Sequence, residues 1–338
     1  MPFDVGVDIG GSYIKLGLVD EKGGVRSRVA LPTRARRGSR QALARISEAA
    51  RALAGRRRIR SIGVGIAGLV DHMHGIVRVP PNLPGWNGTP VKASLEELTG
   101  LPVFCGNDVN AVTLGEWLYG AGQGCSDLLC VTLGTGVGGG IIVGGRLLLG
   151  ANHAAGELGH TAIFGNGLPC RCGATGCVER YVGSAWVVDR ARKRIRAQLK
   201  RRTVHRNQTA LFAGIAPVGT SIMHDMVKGD LKELTTREIG RAARKGDRLA
   251  LALVEETGNY LGLALASAVQ LVDPERVIIG GGVARMGAPL LRAVRRTMSR
   301  QVMMFPGRRL DVVLSRLSSD AGIVGAACFR LAAARFSR

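Results

Sequence analysis

Two short stretches, DIGGSYIKLGL (8–18) and LGTGVGGGIIVGG (133–145), follow one pattern: a β-type run, a glycine turn, then a second β-type run. An apolar run broken only by small, flexible residues folds back on itself as a hairpin. A second such hairpin far along the chain is the nearest thing to an internal repeat, and it favours an architecture laid down twice. The second copy matches G-x-G-x-x-G at Gly134, Gly136 and Gly139. A dinucleotide fold needs a helix directly after that motif, whereas IIVGGRLL reads as a strand, so the dinucleotide reading fails on context. No G-K-[ST] occurs to support a P-loop. What remains is a glycine turn whose backbone N–H groups can approach a phosphate closely.

The rest of the chain alternates strand and helix. Helical spacing of Leu43, Ile46, Ala50 and Leu53 predicts a helix over about 39–54, and SIGVGIAG predicts a strand ending in glycine. LEELTG reads as a helix stopped by Gly100, PVFCGND as a strand delivering Asn107 and Asp108 to its end, and NAVTLGEWLYG as a helix. Later, LALVEETGNYLGLALASAVQLVDP is a long apolar helix, RVIIGGGVA a strand opening on a third glycine turn, and LDVVLSRL a last strand. A final helix is expected from about Asp320. Such alternation implies an α/β protein. The segment from about 195 to 238 is basic and carries no readable chemistry.

A length of 338 residues suggests two domains. The longest uncharged run in the C-terminal half, Thr257 to Val272, is too short and polar to span a bilayer, and no signal peptide is legible, so a cytoplasmic enzyme is expected. The net charge of +22 concentrates in RARRGSR (34–40), RRRIR (56–60) and RARKRIRAQLKRR (190–202). Such clusters attract polyanions. The absence of interleaved aromatic residues argues against nucleic acid as a partner. Cys105, Cys125, Cys130 and Cys328 sit among apolar neighbours and read as buried hydrophobes.

Taken together, DIGGSYIKLGL, NDVNA, LGTGVGGGII, GELGH and the H-x9-C-x-C-x4-C spacing resemble the ROK family of sugar kinases and sugar-responsive repressors, over nearly the whole chain. The resemblance implies an actin-like, RNase H-like fold of two α/β domains around a cleft. Residues 1–118 with about 320–338 would form the smaller domain. Residues 119–319 would form the larger, with a zinc loop at 156–181 and a basic insertion at 195–238. The implied reaction is ATP-dependent phosphorylation of a hexose, glucose before others.

Phosphoryl transfer needs the sugar hydroxyl oriented and its proton accepted, and a strand-end carboxylate suits that task. The resemblance assigns Asp108 as general base and Asn82, Asn107, Glu157, His160 and Glu179 as sugar ligands. Asn82 lies in the proline-rich turn PPNLPGW, with Trp86 expected beneath it. Nucleotide contacts are expected from Asp8, Gly10, Gly11, Ser12 and Lys15 in the first turn. Gly134, Thr135, Gly136 and Gly138 would supply the second, and Gly280, Gly281 and Gly282 the third. Asp8 would stand near Mg²⁺ and the transferred phosphate, reaching the ion through water, since Mg²⁺ keeps much of its hydration shell.

His160, Cys170, Cys172 and Cys177 make a Cys₃His set suited to a closed, structural Zn²⁺ site. Cys170 and Cys172 are too close in sequence for an easy mutual disulfide, and no C-x-x-C occurs. One ring nitrogen of His160 can bind zinc while the other meets a sugar hydroxyl. Three alternatives stay open: another acceptor (N-acetylmannosamine, mannose, fructose or allose), polyphosphate as donor, and a non-catalytic sugar-responsive regulator. The chain opens on the first kinase strand, which favours the kinase over the regulator. A homo-oligomer, dimer or tetramer, is expected from the family.

Overall fold

The computed structural model describes residues 2–208, 220–303 and 305–336. The chain opens with β1 (Phe3–Ile9), β2 (Tyr13–Val19) and β3 (Val25–Pro32), an antiparallel meander. Helix α1 (Ser39–Ala54) then crosses to β4 (Ile59–Ile66), which lies parallel to β1. A small hairpin, β5 (Leu69–Asp71) and β6 (Ile76–Val79), leads through α2 (Val91–Thr99) to β7 (Val103–Asn107), parallel to β4. Helix α3 (Asp108–Tyr119) follows without a loop. The sheet order is β3-β2-β1-β4-β7.

The second half repeats that order. Strands β8 (Leu128–Leu133), β9 (Val137–Val143) and β10 (Arg146–Leu147) form its meander. Next come α4 (Glu179–Val182), α5 (Ser184–Gln208), α6 (Ile222–Met226), α7 (Thr236–Arg244) and α8 (Arg248–Val272). Strand β11 (Arg276–Gly280), helix α9 (Ala288–Gln301) and strand β12 (Asp311–Leu314) complete the sheet β10-β9-β8-β11-β12. Each sheet is therefore a hairpin joined to parallel strands, as the repeated glycine pattern suggested.

The expected single C-terminal helix is two, α10 (Ala321–Ala327) and α11 (Phe329–Phe336), broken at Cys328. Helix α10 lies on the first sheet at glycine positions. A Cβ on Gly6 would stand 1.9 Å from the Ile323 oxygen, and one on Gly63 1.8 Å from the Ala326 oxygen. Only glycine admits backbone so close.

Each hydrophobic side of the plan has its own core. Val5, Val7, Leu16, Ile46, Ile62 and Val64 anchor one, while Val131, Leu133, Leu261, Leu265, Ile279 and Val294 anchor the other. Cys105, Cys125, Cys130 and Cys328 are all buried in apolar surroundings. The basic segment begins inside α5 and resumes in α6 and α7, and its residues 209–219 lie outside the described residues. No described helix is long and apolar enough to cross a membrane.

Candidate functional site

Asp108 stands where β7 becomes α3. The junction is made by Asn107, whose Oδ1 accepts from the N–H groups of Val109 (2.8 Å) and Asn110 (3.1 Å), capping the helix. Its Nδ2 donates to the Gly68 oxygen at 3.0 Å. The amide that was expected to serve a sugar hydroxyl is thus largely occupied in fixing the turn, with one N–H left over. Asp108 is held against Gly65 of β4, where a Cβ would lie 3.4 Å from its Cα. Two effects oppose each other at its carboxyl. The helix N-terminus favours the anion, and the Val109 N–H donates to Oδ1 at 2.9 Å. Burial disfavours the anion, and the negative charges of Asp8 and Glu157 add to that. Burial is the largest effect and wins, pushing the Asp108 pKa up to about 6.

Asp8 ends β1 beside the first glycine turn. Burial raises its pKa, and Lys15, with Nζ 3.7 Å from Oδ2, only partly offsets this. The turn itself closes through Gly10 N–H to the Tyr13 oxygen at 3.0 Å. Gly11 packs on Asn82, where an added Cβ would come within 2.8 Å of the Asn82 Cβ. The proline-rich turn therefore sits against the first glycine turn, with Trp86 fully buried beneath it.

The second turn closes through Gly134 N–H to the Gly136 oxygen at 2.9 Å. Gly138 packs on Val109 of α3, which ties this hairpin to the Asp108 helix. The third turn is laid against the second: Gly281, at φ +87°, would place a Cβ 2.5 Å from the Leu133 oxygen. Gly280 and Gly282 flank it, between β11 and a short 3₁₀ turn at Val283–Met286 that precedes α9.

Glu157 precedes a 3₁₀ turn, Leu158–His160, rather than lying within an α-helix. The glycines of GELGH explain its placement. A Cβ on Gly159 would come 1.9 Å from the Val137 oxygen, and one on Gly156 2.5 Å from the Gly139 oxygen. The loop is pressed onto β9 with no side chain between. Glu179, at the start of α4, accepts from the Val137 N–H at 3.0 Å through Oε2. The same oxygen would lie 2.8 Å from a Cβ on Gly136.

The ligand atoms of His160, Cys170, Cys172 and Cys177 all lie within 4.8 Å of one another. Cys172 Sγ is 3.6 Å from Cys177 Sγ, and Cys170 Sγ is 3.8 Å from His160 Nδ1. A tetrahedral ion with Zn–S bonds of about 2.3 Å holds its sulfurs about 3.8 Å apart, so the spacing and donor set fit zinc. Backbone bonds knit the loop together, among them Ile163 N–H to the Gly176 oxygen (2.9 Å) and Val178 N–H to the Thr161 oxygen (2.9 Å). Gly176 is required at its place by φ +75° and by a Cβ position 1.8 Å from the Phe164 oxygen.

Residues 4–333 match the ROK family. The chain belongs to the ROK family. It is 36% identical to a glucokinase of Thermotoga maritima over 323 residues, covering 96% of this chain and 95% of that one. It is also 36% identical to a glucokinase of Streptomyces coelicolor over 331 residues, covering 97% of each. Among solved structures, a ROK family glucokinase from Streptomyces griseus in complex with glucose and AMPPNP matches with a TM-score of 0.81. The identity is 33%, with 96% of this chain and 98% of that chain covered. The actin-like fold expected from the motifs is the fold of this ROK chain.

Sequence reasoning missed three residues that brace the elements of the candidate site. Thr33 is almost wholly buried and holds the first turn from behind: its Oγ1 donates to the Gly10 oxygen at 2.6 Å, and its N–H to the Ser12 oxygen at 2.9 Å. Gly322, at the start of α10, brings backbone to Asp8, where a Cβ would meet Oδ2 at 2.9 Å. Glu116, fully buried in α3, accepts from Ser315 Oγ (2.6 Å) and from the N–H groups of Leu317 (2.8 Å), Arg316 (3.1 Å) and Ala121 (2.8 Å). An acidic residue inside an apolar helix was the only signal available for it.

Proposed function

We propose that this ROK chain is a sugar kinase that transfers the γ-phosphoryl group of ATP to the 6-hydroxyl of glucose. Among the described residues, those of 1–118 with about 320–338 form one wall of its cleft, and those of 119–319 the other. Asn82, Glu157, His160, Glu179 and the spare N–H of Asn107 bind the sugar hydroxyls. The glycine turns at 10–12, 134–138 and 280–282, with Thr135 and Lys15, hold the nucleotide. Asp8 would stand near the hydrated Mg²⁺ that accompanies ATP, an ion that would supply charge neutralisation for the phosphates.

Asp108 accepts the proton of the attacking hydroxyl as the O–P bond to the sugar forms. The bond between the γ-phosphorus and its bridging oxygen breaks, and its electron pair leaves with ADP. His160, Cys170, Cys172 and Cys177 would hold zinc as a four-ligand structural site, which would fix the loop that carries Glu157 and Glu179. Two relatives named glucokinase, and a solved glucokinase holding glucose, support glucose as acceptor. The single observation that carries the reading is the Asp108 carboxyl, raised to about 6 by burial and flanked by Asp8 and Glu157. A base poised just below neutral pH remains ionised at pH 7 yet is more basic than an ordinary aspartate.

The test is turnover across a hexose panel with ATP, read as ADP release, and with polyphosphate, read as sugar phosphate formed. Glucose with ATP should give the highest kcat/KM. A chain that binds sugar but turns over none of the panel with either donor would overturn the kinase in favour of a regulator.

A further inference from the structure

We propose that a pocket at the N-terminus of α1, walled by Arg34, Arg37, Gln41 and Arg45 and floored by Thr33, binds a phosphate group. It is distinct from the three glycine turns, but shares Thr33 with the first of them. The proposal rests on the reading of that turn as a phosphate site only for its neighbourhood, not for its ligand chemistry.

From Thr33 to Ser47 the sequence carries five arginines and no carboxylate. Among the described residues, Arg34 and Arg37 form no ion pair with any carboxylate. Nearby arginines of the same sheet behave differently: Arg26 is paired with Asp20, Arg28 with Asp320, and Arg60 with Asp4 and Glu21. Guanidinium groups gathered without counter-charge repel one another, and a bound anion relieves that repulsion.

The pocket itself, about 30 Å³, accommodates more than a single water, and it opens between the exposed side chains of Arg34, Arg37 and Gln41. Gly38 caps the 16-residue helix α1 and offers no side chain to its first-turn N–H groups. Those donors and the helix dipole add to the guanidinium field. Arg45 is pinned by Nη2 donation to the Pro32 oxygen at 2.7 Å, which leaves its position set before any ligand arrives. At the floor, Thr33 sends both its donors to the first glycine turn, at Gly10 and Ser12. An anion in the pocket therefore lies directly behind the turn that faces the cleft.

Two sources of such a phosphate differ in connectivity. It is either part of a phosphate chain that runs on from the donor site, or a group on a separate small ligand. Calorimetric titration of the zinc-loaded protein with sodium tripolyphosphate, at fixed ionic strength, tests the site without requiring turnover. A kinase-inactive chain would still give the result, so failure here is distinguishable from failure of the proposed activity. The double variant Arg34→Gln/Arg37→Gln should weaken binding at least tenfold. The control Arg292→Gln/Arg300→Gln, which removes the same charge from α9, should change it by less than twofold. Thermal melts confirm that both variants fold.

Repeating the titration with a saturating non-hydrolysable ATP analogue separates the sources. Displacement of tripolyphosphate indicates a chain continuous with the donor site, and retained binding indicates a separate ligand. Equal losses in the two double variants, no loss in the Arg34/Arg37 pair, or no binding by the parent protein would each overturn the proposal.

Discussion

Replacing Asp108 by asparagine should stabilise the protein while disabling it. The side chain keeps its shape, and an amide oxygen can still accept from the Val109 N–H as Oδ1 does at 2.9 Å. What disappears is the cost of holding a charge against burial, Asp8 and Glu157. The folded-state pKa of about 6 lies above the ordinary value of 3.8. The folded state therefore binds the proton more tightly than the unfolded chain. Its stabilising effect is fully present at acid pH, below 3.8, and is lost as pH rises to about 6. Above that, the ionised carboxyl carries a penalty of on the order of 3 kcal/mol, at 1.36 kcal/mol for each pH unit of the difference. At pH 5 the same linkage leaves about half of it. For a chain of this size, 3 kcal/mol corresponds to a Tm rise of roughly 4 °C. Differential scanning calorimetry of Asp108→Asn against the parent protein should show that rise at pH 8 and about half of it at pH 5. In the same variant kcat should fall by about 10²–10⁴, the range for losing a general base, with glucose binding still measurable by titration. An unchanged Tm at pH 8 would refute the electrostatic argument. A near-normal kcat would refute the assignment of Asp108 as base.

Three further outcomes follow from the geometry. Chelation should release one zinc per chain and make at most three thiols reactive to a disulfide reagent. The other four should stay silent until the chain is denatured, since burial holds Cys105, Cys130 and Cys328 at about 12 and raises Cys125; no change on chelation would dismiss the metal. Gly136→Ala would set a methyl 2.8 Å from Glu179 Oε2 and displace that carboxylate, so KM for glucose should rise roughly tenfold in steady-state assays. An unaltered KM would detach Glu179 from the sugar. Glu116→Gln turns an amide donor towards protein N–H or hydroxyl donors at one of two filled oxygens, and should cost about 3 kcal/mol or more in chemical denaturation. A variant as stable as the parent would show that this buried carboxylate holds nothing in place.

The sequence made the hairpins, the zinc ligands and the long apolar helices legible because each is local: glycine spacing, cysteine spacing and helical periodicity all act over a few residues. Strand β3 was not, although its burial alternates residue by residue, because Ser27 on the more buried side and Ala30 on the exposed side blur the apolar alternation of an edge strand. Helix α5 was obscured for a different reason, its sequence being dominated by arginine and lysine. At the site, Asp108 and its neighbours come from separate parts of the chain, Asp8 before it and Glu157 after it. Their mutual repulsion is a property of the fold and has no signature in any one motif. Asn107 shows the converse: a motif names the residue, while the structure commits most of its amide to capping α3 and holding Gly68.

Several glycines away from the turns keep those carboxylates together against that repulsion. Two carboxylates that raise each other's cost of ionisation stay together only if the elements carrying them cannot separate. Helix α3 begins with Asp108, and α10 places Gly322 against Asp8. The two helices cross with backbone in near contact: a Cβ on Gly325 would overlap the Ala111 oxygen at 1.6 Å, and one on Gly115 would reach the Ala321 oxygen at 3.0 Å. At the far end of α3, Glu116 holds residues 315–317, which lead into α10. Packing without intervening side chains leaves no slack through which Asp8 could move away from Asp108. The part that Asp8 adds to the raised pKa of the proposed base, beyond the larger effect of burial, is thus held in place by small residues at a helix crossing, well outside the motif that contains it.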